Sequence, residues 1–131
     1  MNAVVPMNGR TRPARQTLGW EERLHKRKDF LRIYSQGKRI YTATLVAYFL
    51  HNKLDQHRLG VTASRKIGKA AVRNRIKRRI RELFRTSKRP AIPCFDIVVN
   101  VRKAAALAPF ARLQEDYLKA LARIEEMTER Q

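Results

Sequence analysis

The sequence predicts an α+β fold, a two-layer sandwich whose elements run α-β-β-α-β-α. Three observations lead there. Three segments carry apolar residues at helical spacing, and three shorter ones are rich in β-branched, aromatic or alternating apolar residues. The length of 131 residues and the hydrophobic content of 44% suit one compact domain with a real core.

Residues 1–22 contain Pro6, Gly9, Pro13 and several arginines without an apolar period. They read as a mobile basic arm in which only Leu18 and Trp20 are candidates to dock. A mitochondrial presequence is also arginine-rich and acid-poor, but Pro6 and Pro13 interrupt any long amphipathic helix. The domain proper is expected over residues 23–127, with a short tail at 128–131. Residues 28–36 predict a helix with Phe30, Ile33 and Tyr34 on one face and Gly37 as its stop. Residues 44–51 predict a strand with Val46 and Tyr48 on one face and Leu45, Ala47 and Phe49 on the other. A polar turn at 52–57 leads to a second strand at 58–64, where Leu59, Val61 and Ala63 alternate, and that order predicts a hairpin. Residues 69–87 predict a long helix that runs out at Lys88, Arg89 and Pro90. Residues 95–101 (FDIVVNV) are the apolar run of an inner strand, in which Asn100 alone demands a hydrogen-bond partner. A last helix over about 110–127 aligns Phe110, Leu113, Tyr117, Leu121 and Ile124.

Charge is the unusual quantity. Thirty Lys and Arg against eleven Asp and Glu leave +19, whereas solubility asks for roughly 2–8 units in a small domain. Residues 65–89 hold +11 of that excess, with Glu82 their single acid, while the chain from Arg102 onward is nearly neutral. Such an excess calls for a polyanionic partner, met by the middle of the chain. Within the predicted long helix, Val72, Ile76, Ile80, Leu83 and Phe84 form an apolar stripe. Arg73, Lys77 and Arg81 line one flank, and Asn74, Arg78 and Arg81 the outer face. A solvated surface helix normally mixes signs, because like charges at i,i+4 destabilise it. The dominance of arginine, whose planar fork grips phosphate and stacks on bases, favours RNA. Asn74 is open to two readings, a contact to base or sugar or an ordinary polar helix residue.

The motif RNRIKRRIR at 73–81 resembles the signature of the protein subunit of bacterial ribonuclease P. Two further stretches match in order and spacing: GVTASRKIG at 60–68, and Arg23-Leu24 followed by KDFLRIYSQG at 28–37. The resemblance spans about residues 23–124. It implies a left-handed βαβ crossover, against the usual preference for right-handed ones. It also implies an RNA subunit that uses Mg²⁺ to remove the 5′ leader of precursor tRNA, with no catalytic residue in this chain. Carried over by position, Arg73, Asn74, Arg75, Lys77, Arg78 and Arg81 would bind RNA. Phe30, Tyr34, Val46 and Tyr48, with Ser64, Arg65 and Lys66 at the strand end, would form a cleft for the leader. Lys69, and Arg102-Lys103 after the third strand, depart from the family pattern. An aromatic stripe more often belongs to a core than to a ligand platform, and only the resemblance favours an open cleft.

No active site of the chain's own is legible. His25, His51 and His57 lack metal-ligand spacing, Gly68-Lys69 is not a phosphate-binding loop, and Asp29, Asp55, Glu82 and Asp96 fall in different elements. Cys94 has no evident base and reads as a small buried side chain. As the lone cysteine it cannot form an intrachain disulfide, and a cytoplasmic location is expected. No apolar stretch approaches the roughly 20 residues of a membrane span, so a membrane is not an expected partner; DNA is not expected either. The alternative is a ribosomal or RNA-chaperone protein without a reaction. A helix-turn-helix DNA binder would need a helix rather than a strand just before the basic helix. A membrane-active helix would leave the sheet uncovered.

Overall fold

Residues Phe95–Val101 set Phe95, Ile97, Val99 and Val101 on one face and Asp96, Val98 and Asn100 on the other, and take the interior of the sheet that their largely apolar composition predicts. In the computed structural model, which describes residues 18–87 and 93–129, the elements are α1 (Arg27–Gln36), β1 (Lys38–Tyr41), β2 (Leu45–His51), β3 (Arg58–Thr62), α2 (Ala70–Ser87), β4 (Phe95–Val101) and α3 (Phe110–Glu129). The α+β class and the order of the six anticipated elements are as the sequence predicts. The short strand β1 is additional. It pairs antiparallel with β2 through a tight connection at residues 42–44.

The predicted hairpin of 44–51 with 58–64 does not form. The sheet order is β1-β2-β4-β3, so β4 lies between the two strands that were expected to pair. It runs antiparallel to β2 over seven residue pairs and parallel to β3 over five. The reason is burial: the most apolar strand gains most where neighbours cover both edges and layers cover both faces. The turn at 52–57 bridges over the start of β4 instead of closing a hairpin. Its Asn52 N–H bonds the Cys94 carbonyl at 3.2 Å, and the Asn52 amide donates to Asp96 at 2.8 Å.

Alternation along the strands divides the side chains into two groups. Leu45, Ala47, Phe49, Leu59, Ile97 and Val99 face α2 and α3 and form the main core with Ile76, Ile80, Leu83, Phe84, Tyr117 and Ile124. The apolar stripe predicted for the basic helix is therefore the one it buries. Leu18 docks into this core, whereas Trp20 stays 72% exposed and stacks on His25 at 3.5 Å between ring centroids. The rest of the predicted arm, residues 1–17, and the predicted helix exit at 88–90 lie outside the described residues. On the opposite face α1 sets Ile33 against Val98, with Leu24, Phe30, Tyr34 and Tyr48 around them. This smaller cluster covers only part of that face. α1 thus stands apart from the two-layer body, on the far side of the sheet from α2 and α3.

Candidate nucleic-acid interface

The groove between α1 and the sheet rests on a buried carboxylate. Asp96 is fully buried and receives both arms of Arg58, Nε to Oδ1 at 2.9 Å and Nη2 to Oδ2 at 2.8 Å. Arg32 of α1 adds a bond to Oδ2 at 3.2 Å. The carboxylate thereby locks α1 to the sheet, and its hydrogen bond holds Arg58 above its ordinary pKa against the effect of burial. Gly60 lets α1 approach closely, since a Cβ there would meet the Phe30 ring at 2.7 Å.

Of the residues expected to form a cleft, Phe30, Tyr34 and Tyr48 pack together against Ile33 and Val98. Phe30, Tyr34, Val46 and Tyr48 are all half-buried, and Tyr34 meets Tyr48 edge-on at 4.8 Å. Phe30 and Tyr34 line an open pocket with His25, Arg27, Leu31 and Thr62. The partner that Asn100 requires is found here. Tyr34 Oη donates to its Oδ1 at 2.9 Å and Thr62 Oγ1 donates to the same atom at 2.6 Å. Ser64, Arg65 and Lys66 are exposed, on the turn that leaves β3 for α2. Sequence reasoning missed Asn100, Thr62 and His25 as neighbours of the cleft; the polar Asn100 in an apolar run was the available signal.

The second surface is α2. Gly68 has φ of +151°, a value that side chains rarely adopt, and it turns the chain into this helix. The structure sorts the basic residues that the sequence could only enumerate. Arg73 is half-buried and donates Nε to the Gly68 carbonyl at 3.1 Å. Arg79 lies over the Phe110 ring at 5.2 Å, and Arg85 pairs with Glu82. That leaves Asn74, Arg75 and Arg78 exposed, and Lys77 and Arg81 half-buried, none with an acidic partner among the described residues. Their charge is open to a ligand.

Other predicted features have plainer roles. Cys94 is buried, and burial, with a smaller effect of Asp55, pushes its thiol pKa up. Among the described residues no three His, Cys, Asp or Glu side chains converge as a metal site, and no helix is long and apolar enough to cross a membrane.

An α+β domain with a cationic helix on one side of its sheet and an aromatic groove on the other defines a small RNA-binding protein. The Ribonuclease P family model matches residues 18–125. The ribonuclease P protein component of Desulfosudis oleivorans is 43% identical over 94 residues, covering 72% of this chain and 78% of that protein. The ribonuclease P protein of Thermotoga maritima superposes with a TM-score of 0.71 at 40% identity, covering 78% of this chain and 96% of that one. Its Staphylococcus aureus counterpart gives 0.70 at 38% identity, with 79% and 94% covered. The chain belongs to the ribonuclease P protein family, as the protein subunit of an endoribonuclease.

Proposed function

We propose that this chain binds the RNA subunit of ribonuclease P through α2 and holds the 5′ leader of precursor tRNA in the groove between α1 and the sheet, in the cytoplasm. The observation that carries the reading is the separation of two surfaces of different chemistry. Arg75 and Arg78 stand free on α2, suited to phosphates of a folded RNA. Phe30 and Tyr34 line the opposite groove, with Tyr48 set edge-on against Tyr34, and such rings suit unpaired bases that stack without regard to sequence. Ser64, Arg65 and Lys66 sit on the turn that joins them. No cluster of carboxylates among the described residues suits Mg²⁺. The ion belongs to the RNA subunit in this reading, where it supplies the hydrolytic chemistry. The chain's own residues position RNA and screen its charge. The test is cleavage of precursor tRNA by a ribonuclease P RNA at low Mg²⁺. Added protein should restore cleavage at the mature 5′ end, and equal rates with and without it would overturn the proposal.

A further inference from the structure

Strand β1, which the sequence pattern does not announce, carries an aromatic ring left largely in solvent: Tyr41 is 61% exposed. A lone exposed ring is ordinary on a protein surface, and its place in the sheet is what marks this one. The register sets Arg39 opposite Tyr48 and Tyr41 opposite Val46, and Val46 in turn lies opposite Asn100 of β4. Residues directly opposite one another share a face, so Arg39 and Tyr41 stand on the α1 side of the sheet with Tyr48. Alternation agrees, since Ile40 between them packs on the main core of the other side. The cluster beneath α1 takes in Tyr34, Tyr48 and Val98 and includes neither Val46 nor any residue of β1. The groove face of the sheet therefore continues past α1 as a shelf, with Asn100, Val46 and Tyr41 in one row across three strands. Tyr34 is bonded to Asn100 at one end of the row, and Tyr41 stands two strands away, about 10 Å across the sheet. Arg39 lies over the Tyr41 ring, 5.7 Å from its centroid, and has no acidic partner among the described residues.

We infer that Tyr41 and Arg39 form a further stacking position for unpaired RNA, one that sets how far along a leader the protein recognises its substrate. The inference rests on the groove reading proposed above and extends it to β1. A single strand that leaves the Tyr34–Tyr48 rings crosses Asn100 and Val46, where no charged group has to be stripped of water, and then reaches a ring with a cation beside it. An exposed ring takes a base of any identity, and the guanidinium held at that ring lies within reach of the phosphate next to such a base. A plainer role competes with this one. Tyr41 and Val46 are also an aromatic and β-branched cross-strand pair, which stabilises a strand, and the charge of Arg39 on an edge strand deters pairing with other chains. The two roles differ in what they predict, because strand stability is indifferent to the length of a bound leader.

The test is binding of precursor tRNAs, with leaders lengthened one nucleotide at a time, to the protein assembled with a ribonuclease P RNA. Wild-type affinity should climb with leader length and then level off. Tyr41→Leu keeps an apolar side chain opposite Val46 and removes the ring. Its affinity should level off at a shorter leader and end about fivefold weaker on the longest, the low end for one stacked base. Tyr41→Phe should restore the wild-type curve, because the stacking face survives without the hydroxyl. Arg39→Met should flatten the salt dependence by about 0.7, the value of one single-strand phosphate, on long leaders and not on mature tRNA. Losses in Tyr41→Leu that are equal at every leader length would assign Tyr41 to strand stability and overturn the inference. A Tyr41→Leu curve that matches the wild type while Tyr48→Ala still loses affinity for leaders would also overturn it, and would leave the groove reading standing. Wild-type affinity that does not change with leader length would overturn the groove reading itself, and the inference with it.

Discussion

Tyr48 is half-buried, with Tyr34 set edge-on against it. Its two contributions can be separated by one substitution. Tyr48→Ala should weaken binding of precursor tRNA by the assembled enzyme by about 1 kcal/mol, close to fivefold, while mature tRNA is hardly affected. A pure core residue would instead lower the melting temperature by the equivalent of roughly 3–5 kcal/mol and weaken both RNAs alike. Measuring both affinities and the melt distinguishes the outcomes. Asp116 makes a different kind of residue-scale statement. It is buried and accepts from the Thr44 N–H at 3.1 Å and Thr44 Oγ1 at 2.7 Å, with Arg112 beside it. Burial alone would raise its pKa, but the bonds from Thr44 and Arg112 outweigh it and the net shift is downward. A depressed carboxylate stabilises the fold above its unfolded pKa, near 3.9, and that contribution fades as pH falls toward the folded value. Asp116→Asn should therefore lower the melting temperature at pH 7, by the equivalent of about 1–3 kcal/mol. It should also flatten the decline of stability between about pH 5 and 3. A variant melt that tracks the wild type at every pH would refute this.

At the scale of the element, α2 divides its work by face. Ile76, Ile80, Leu83 and Phe84 hold it to the sheet, so its outer charges can be removed without unfolding it. Arg75→Ala and Arg78→Ala should each flatten the salt dependence of RNA binding by about 0.7–0.9 for every phosphate left unpaired, with the melting temperature unchanged. Arg73→Ala should show both a flatter slope and a lower melt, because its Nε also ties the helix to Gly68. Unchanged slopes in all three would return this helix to an ordinary solvated face. The apolar stripe was legible from spacing alone. Which arginines stay open was not, because Arg79 is engaged by Phe110 of α3, a residue 31 positions away. The pairing of strands was misread for a related reason. A polar turn between two strands signals a hairpin locally, and nothing in that turn reveals a third strand passing between them.

For the whole molecule, the sheet order makes β4 the centre of stability. Both its edges are bonded, to β2 and β3, and its Asp96 side chain gathers Arg32, Arg58 and Asn52 from three other segments. Native-state hydrogen exchange should find the amides of Ile97 to Val99 slowest, opening only with global unfolding, and those of β1 among the first of the strands to exchange. Faster exchange at Val98 than at Ile40 would contradict this organisation. The two RNA-facing surfaces follow from the same order. α1 and α2 sit on opposite faces because β4 presents Val98 to one helix and Ile97 and Val99 to the other.

The sequence by itself determined the α+β class, the position of six elements, the inner strand, the buried stripe of α2 and the concentration of charge on that helix. Each of these is written in short-range periodicity or in composition, which a chain carries before it folds. The family signature at 73–81 belongs with them. Tertiary packing alone decided that β4 separates β2 from β3, that Asp96 pins α1, and that Asn100 is held by Tyr34 and Thr62. These interactions join residues 38 to 66 positions apart. What fixes them is competition for burial and for hydrogen-bond partners across the whole chain, and no local pattern carries its outcome.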